Sequence, residues 1–422
     1  MTDDDSDGLF DVSEQNRDRL LNLALIFMSI TVAFAGLEAG LRAGVVPYDR
    51  SVSSEDIHCS GPDDLHQFHP EYGWTLSPNA TYLRHWKKPD GEDARYLYTT
   101  NSEGFRDTYD SGDRHVIVVG DSFTEGAGVT EGGQYTHLLD RWLPNTSFQT
   151  YAAGGYGTDQ ELLVYRNVSE QYDHDLVILA YYYGNDANNN AGNGWPQGPR
   201  RPRFELRNGS LVQTHEPVDQ VPSDTAGFRD YGVIGAVHGT LRDHSMAYDW
   251  SYRRMRTVAA KAGLFGGGAD DTPSPPTGEE RRSQLQLTRA LLDEMSTEAS
   301  SHDADVLVVG IPARGEVTPD NPAHYPTDQG IPYYQDQRQM IQNAASNNSN
   351  LAYLDLKPRL EREIENGEQI YGQEVANAHF IADGYQVMAE TIYQHISAAG
   401  YVPNRSVDYD EDYRQTVMSC PE

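Results

Sequence analysis

The stretch His115-Val-Ile-Val-Val119, running directly into Gly120-Asp121-Ser122-Phe-Thr-Glu-Gly126, decides how this chain is read. Its first half is short, apolar and β-branched, bounded by Asp113 and Gly120, and so reads as a buried strand. Similar runs follow at Phe148–Ala153, Leu176–Tyr181, Ala304–Ile311 and Leu351–Leu356, the first of these being the weakest. Helical patterns lie between them. Tyr135–Trp142 and Gln160–Glu170 follow the first two strands, Glu279–Ser300 precedes the fourth, Tyr334–Ala345 precedes the fifth, and Gly384–Ala399 closes the domain. Strands alternating with helices predict an α/β fold with a parallel sheet. Five strands suit a doubly wound, three-layer α/β/α sandwich with right-handed crossovers.

Around this core the chain divides by composition. Residues 1–19 form an acidic tail, 20–41 an apolar segment, and 46–112 a lead-in with Pro and Tyr but no clear periodicity. The α/β domain is expected over 113–400, with an insertion over 187–279 and a tail over 401–422. The insertion opens on Asn188-Asn189-Asn190, contains an amphipathic piece at Met246–Ala262, and ends in the Gly- and Pro-rich linker 266–276. Loops this long are usually functional or disordered, and a cap over the site is one reading.

Lys and Arg number 32 against 64 Asp and Glu in the 422 residues, a formal charge of −32. That balance excludes a direct grip on nucleic acid, which needs basic surface. It also opposes docking on anionic lipid through a basic patch. General disorder is excluded because 38% of residues are hydrophobic and come in compact runs. Lys87, Lys88, Lys261 and Lys357 are the only lysines. An acidic, lysine-poor surface suits concentrated salt, where the Debye length shrinks to about 3 Å. A halophilic protein is the expectation.

Leu20–Leu37 carries no charge over 18 residues, the short end for a membrane helix. Arg17 and Arg19 precede it and Arg42 and Arg50 follow, so the positive-inside rule does not orient it. A single-pass anchor is favoured over a signal peptide cleaved near Ala33-Phe34-Ala35, because acidic residues precede Arg17. Six N-x-[ST] sequons, at Asn79, Asn145, Asn167, Asn208, Asn347 and Asn404, agree weakly with an outside location. Cys59 and Cys420 are the only cysteines. They read either as a disulfide joining the two ends of an ectodomain or as two free thiols.

In a parallel sheet, ligands bind beyond the carboxyl ends of the strands. The first strand runs into Gly120-Asp121-Ser122, the second into Gly154-Gly155-Tyr-Gly157, the third into Gly184-Asn185-Asp186. One rim thus receives a hydroxyl, a bare backbone amide and a side-chain amide, which together supply a nucleophile and oxyanion donors. A base is still needed, since a serine hydroxyl is weakly nucleophilic at neutral pH. His379, in Asn377-Ala-His-Phe-Ile-Ala-Asp-Gly384 before the last helix, returns to the same rim. No His/Cys cluster has zinc spacing, and G-x-G-x-x-G is missing after the first strand. No metal and no cofactor are therefore expected.

These residues resemble the SGNH, or GDSL-type, hydrolases. The Gly120–Gly126 segment looks like their first block, Gly155 their second, Gly184-Asn185-Asp186 their third and the His379 loop their last. Asn101-Ser-Glu-Gly-Phe-Arg-Asp107 resembles a segment found ahead of the first block in membrane-anchored members, and an apolar N-terminal helix ending in a glutamate, here Glu38, is familiar there too. The resemblance spans roughly 101–400 without the insertion and implies a flavodoxin-like sheet. It implies that Ser122 attacks an ester carbonyl, that His379 serves as base, and that the amides of Ser122 and Gly155 with the Asn185 side chain hold the oxyanion. In one respect the chain departs from the family: where an aspartate usually stands two or three residues before the histidine, it has Asn377 and Ala376. A Ser-His dyad follows, its imidazole oriented by Asn377, Glu374 or Asp383.

The leading expectation is an esterase acting on an O-acylated surface glycan or lipid, with the catalytic domain outside a membrane. An O-acyltransferase on surface polysaccharide and a non-catalytic carbohydrate-binding surface protein are the alternatives. Oligomeric state and substrate identity are not readable from the residues.

Overall fold

A computed structural model describes residues 14–45, 56–62, 64–87, 93–106, 112–192, 201–214, 217–218, 237, 240–241, 244–261, 275–318, 327–372, 379–406 and 419–421. The chain forms two compact units, one from Met1–Ser51 and Pro222–Asp271, the other from Val52–Val221 and Thr272–Glu422.

The first unit contains helix α1 (Glu14–Arg42). Within it Leu21–Arg42 spans 22 residues at a mean hydropathy of 1.9, long and apolar enough to cross a membrane. Its side chains do not serve as a core: Phe27 is 74% exposed and Val32 66%. Near the end of α1, the Glu38 carboxylate accepts from the Ala247 N–H at 2.8 Å and from the Ser245 hydroxyl at 2.9 Å.

In the second unit the lead-in, which shows no periodicity in sequence, carries five strands among its described residues. They are β1 (Ile57–Ser60), β2 (His66–His69), β3 (Gly73–Leu76), β4 (Thr81–Lys87) and β5 (Asp93–Thr99). β1, β4 and β5 form one antiparallel sheet, and β2 and β3 a hairpin. Alternation is missing because protein covers both faces: adjacent Tyr82 and Leu83 are both buried, as is every residue of β3. Tyr82, Tyr96 and Tyr98 with Ala80 and Ala94 make a small core of their own.

The main sheet is built from β6 (Arg114–Gly120), β7 (Thr146–Ala152) and β8 (His174–Tyr182). After the hairpin β9 (Phe204–Arg207) and β10 (Ser210–Gln213), it is completed by β11 (Asp305–Ile311) and β12 (Leu351–Asp355). Its order is β12-β11-β8-β6-β7 and every pairing is parallel. This is the five-stranded doubly wound sheet expected. Val116–Val119, Val177–Ala180 and Val306–Val309 sit at its centre, almost fully buried. Such runs are apolar without alternation because helices cover both faces.

In chain order the further helices are α2 (Ser122–Glu125), α3 (Tyr135–Trp142), α4 (Thr158–Val168) and α5 (Asp186–Asn190). Then come α6 (Met246–Lys261, in the first unit), α7 (Gly278–Ser301), α8 (Arg314–Val317), α9 (Thr327–Ser346), α10 (Lys357–Glu365) and α11 (Ala382–Ala398). α3 packs on α11, while α4, α5 and α9 pack against α7. α10 is an addition to the sequence reading, which runs from the fifth strand straight to the His379 loop.

The insertion is not one body. Its early part folds with the α/β unit as the β9–β10 hairpin, whose two-residue turn is Asn208-Gly209. Both turn residues have positive φ, +52° and +82°, the left-handed pair that Asn-Gly favours. Cys59 on β1 is disulfide-bonded to Cys420, with Cα atoms 5.4 Å apart. This resolves the two cysteine readings in favour of the bridge.

Candidate active site

The strand order reverses between β6 and β8, so the crevice at their carboxyl ends is the switch point where doubly wound sheets take ligands. Ser122 stands there as the first residue of α2, directly after β6. Its turn is fixed by Asp121, whose Oδ1 accepts from the Phe123 N–H at 2.9 Å. Asp121 Oδ2 accepts from Asn185 Nδ2 at 3.0 Å, tying the end of β8 to the end of β6. An amide carries two N–H groups, so this bond leaves Asn185 a second donor.

Ser122 Oγ and His379 Nε2 lie 2.6 Å apart, within hydrogen-bond range, across 257 residues of sequence. The imidazole is wedged between Phe123, ring centroids 4.9 Å apart, and Trp86 on β4, at 5.5 Å and nearly perpendicular. Gly154, after β7, comes so close that a methyl group built on it would meet Ser122 Cβ at 3.8 Å. Its N–H donates to Glu125 Oε2 at 2.7 Å. Gly155 follows at φ +80°, a conformation in which a side chain would be strained. Ser122, Gly154, Gly155, Asn185 and His379 are each partly exposed among buried neighbours. The four segments singled out in sequence thus meet in one open patch. Asn377 and Glu374 lie outside the described residues, and Asp383 sits in the first turn of α11.

Under the patch lie four carboxyl groups, of which the sequence reading passes over Asp159 and Glu161. Asp121, Asp159, Glu161 and Asp186 are at most 1% exposed. Burial pushes Asp121 up to about 6; the hydrogen bonds from Phe123 and Asn185 oppose this, and the charge of Glu125 adds to it. Asp159 is also raised by burial to about 6, against the pull of Arg201. Glu161 and Asp186 are held well above the ordinary carboxylate range by burial first; the charges of Asp121 and Asp159 add to it for both, and that of Glu161 for Asp186. Asp159 and Glu161 fall in the first turn of α4, where acids complement the helix dipole and read as solvated.

Two further cations are built in. Arg84 on β4 pairs with Glu125 Oε1 at 3.1 Å. Arg201, fully buried, donates to the Gly155 carbonyl at 2.8 Å and stands 3.7 Å from Asp159 Oδ1. In Asn188-Asn189-Asn190 the Asn189 Nδ2 donates to the Gly155 and Tyr156 carbonyls, and the Asn190 Oδ1 accepts from the Asp159 N–H. Among the described residues no group of three His, Cys, Asp or Glu side chains could hold a metal ion. A separate cavity of about 470 Å³ is lined by Asn190, Arg203, Phe204, Glu280 and Gln284, and none of the rim residues opens into it.

No family model matches the sequence, and no curated protein does. Several solved structures are similar to this chain at low identity. A member of the lipolytic protein G-D-S-L family from Veillonella parvula is 12% identical, over 67% of this chain and 97% of that one, with a TM-score of 0.36. An acetyl xylan esterase is 16% identical, over 67% and 99%, at 0.36. A lipase/acylhydrolase from Enterococcus faecalis is 13% identical, over 69% and 100%, at 0.35.

Proposed function

We propose that this protein is a serine esterase or acyl hydrolase of the SGNH type, with Ser122 as nucleophile and His379 as base. The observation that carries the reading is the 2.6 Å contact between Ser122 Oγ and His379 Nε2. In this scheme Ser122 Oγ attacks the ester carbonyl while His379 Nε2 takes its proton. The N–H groups of Ser122 and Gly155 and the Asn185 amide receive the oxyanion. As the first residue of α2, Ser122 has no acceptor for its N–H within the helix. Collapse expels the alcohol, which takes the proton from His379. Water, activated by the same imidazole, then cleaves the acyl-enzyme. Asn377 or another nearby acceptor orients the ring.

The substrate class is an O-acylated surface glycan or a lipid ester. The exposed apolar stretch of α1 supports a single-pass anchor, the Cys59–Cys420 disulfide agrees with a catalytic unit outside the membrane, and the charge of −32 with four lysines supports salt adaptation. The test is a panel of acyl esters in molar salt, wild type against Ser122→Ala. The reading predicts turnover by the wild type and a loss of about 10³-fold or more in the variant. Equal turnover by a folded Ser122→Ala protein would refute it.

A further inference from the structure

The Gly154-Gly155 turn is gripped on every polar group but one. Glu125 Oε2 accepts the Gly154 N–H at 2.7 Å, and Trp74 Nε1 donates to the Gly154 carbonyl at 3.1 Å. The Gly155 carbonyl receives Arg201 Nη1 at 2.8 Å and Asn189 Nδ2 at 3.0 Å. The Tyr156 N–H donates back to the Ala153 carbonyl at 3.1 Å. Among the described residues only the Gly155 N–H makes no hydrogen bond in this network, and the two glycines are partly exposed where their neighbours are buried.

The Gly154 carbonyl and the Gly155 N–H belong to one planar trans peptide and point in opposite directions. A donor on the carbonyl therefore fixes where the N–H is aimed. Two successive glycines are otherwise the pair freest to flip that plane. The donor, Trp74 on β3, is itself held: its carbonyl accepts the Tyr156 hydroxyl at 2.5 Å, and the Arg201 guanidinium lies 5.2 Å from its ring. The lead-in thus supplies Trp74 and the insertion supplies Arg201, with Asn189 coming from α5.

We infer that Trp74 is a positioning residue for the reaction: its indole N–H locks the Gly154–Gly155 peptide with the Gly155 N–H turned toward the oxyanion, and Arg201 and Asn189 lock the next peptide. The inference rests on the oxyanion role proposed above for Gly155. It gives the lead-in and the insertion a shared task that neither shows in sequence.

Trp74→Phe removes the indole N–H and keeps an aromatic ring; Asn189→Ala leaves the buried Arg201–Asp159 pair intact. With p-nitrophenyl acetate in molar salt, each should lower kcat by roughly 10- to 100-fold, below the loss for deleting an oxyanion donor outright. KM should stay within about two-fold, and the rate of inactivation by a fluorophosphonate should fall with kcat. The exposed Glu205→Gln variant should match wild type. Unchanged kcat in both folded variants, with Ser122→Ala inactive, would overturn the clamp and leave the esterase reading standing. A fall in kcat that follows only thermal unfolding would likewise overturn it. Activity surviving in Ser122→Ala would instead remove the reading on which the clamp rests.

Discussion

Single residues at this rim act through what surrounds them. Ser122, Gly155 and Asn185 are legible in sequence because each follows a strand of the sheet in a Gly-punctuated turn, and His379 because its loop leads into the last helix; strand ends are where such sheets bind. Trp74, Arg84, Trp86 and Arg201 are not, because their contacts cross tens of residues and belong to no local pattern. Glu161 is a further case. It stands on α4 where an acid would be expected in solvent, yet it is fully buried and both carboxyl oxygens lack a hydrogen-bond partner among the described residues. Burial, with the charges of Asp121 and Asp159, raises it well above its ordinary 4.5. A carboxyl raised in the folded state stabilises fully below its unfolded value, and that contribution is lost as pH climbs through the raised value. Denaturant unfolding between about pH 5 and pH 8 should therefore show wild type losing stability relative to Glu161→Gln as pH rises. Parallel curves for the two would contradict this protonation state.

Elements were readable where one physical demand dominated. The buried strands β6, β8 and β11 appear as unbroken β-branched runs, and their expected limits differ from the observed ones by one or two residues at most. The β9–β10 hairpin carried a signal that the sequence reading did not use, Asn208-Gly209 between two short strands. The lead-in strands gave no signal, because β4 turns apolar side chains to both sides and an arginine inward. That arginine binds the lead-in to the α2 turn: Arg84 bridges Asp56 and the nearly fully buried Glu125. Removing one partner of a buried pair leaves the other charge uncompensated, at a cost of several kcal/mol. Arg84→Met should lower unfolding free energy by about 3 kcal/mol, and adding Glu125→Gln should restore part of it. A change under about 0.5 kcal/mol for the single variant would show the pair to be solvent-screened instead.

At the scale of the whole molecule, the charge of −32 finds no role at the rim, whose proposed actors are hydroxyl, imidazole and amide groups. Of the buried acids, Glu125 and Asp159 face arginines, and burial raises Glu161 and Asp186 well above the ordinary carboxylate range. Exposed acids such as Glu205, Glu279 and Glu280 face solvent, where salt screens them. On the proposal of salt adaptation, moving the protein from molar salt to tens of millimolar should unfold it or abolish its turnover, followed by circular dichroism and ester hydrolysis together. Full structure and rate at low salt would contradict that proposal without touching the active-site account. The Cys59–Cys420 bridge closes a separation of 361 residues. Constraints on long loops are expected to restrict the unfolded chain most, so salt titrations should compare oxidised protein throughout.

The central claim is that Ser122 is the nucleophile and that His379 activates it. Its most direct test is covalent labelling with a fluorophosphonate in molar salt, with the site of attachment mapped by peptide mass spectrometry. The account predicts one adduct, on Ser122, formed by wild type and lost or strongly slowed in His379→Ala. An adduct on another residue, or none on a protein shown to be folded, would contradict it.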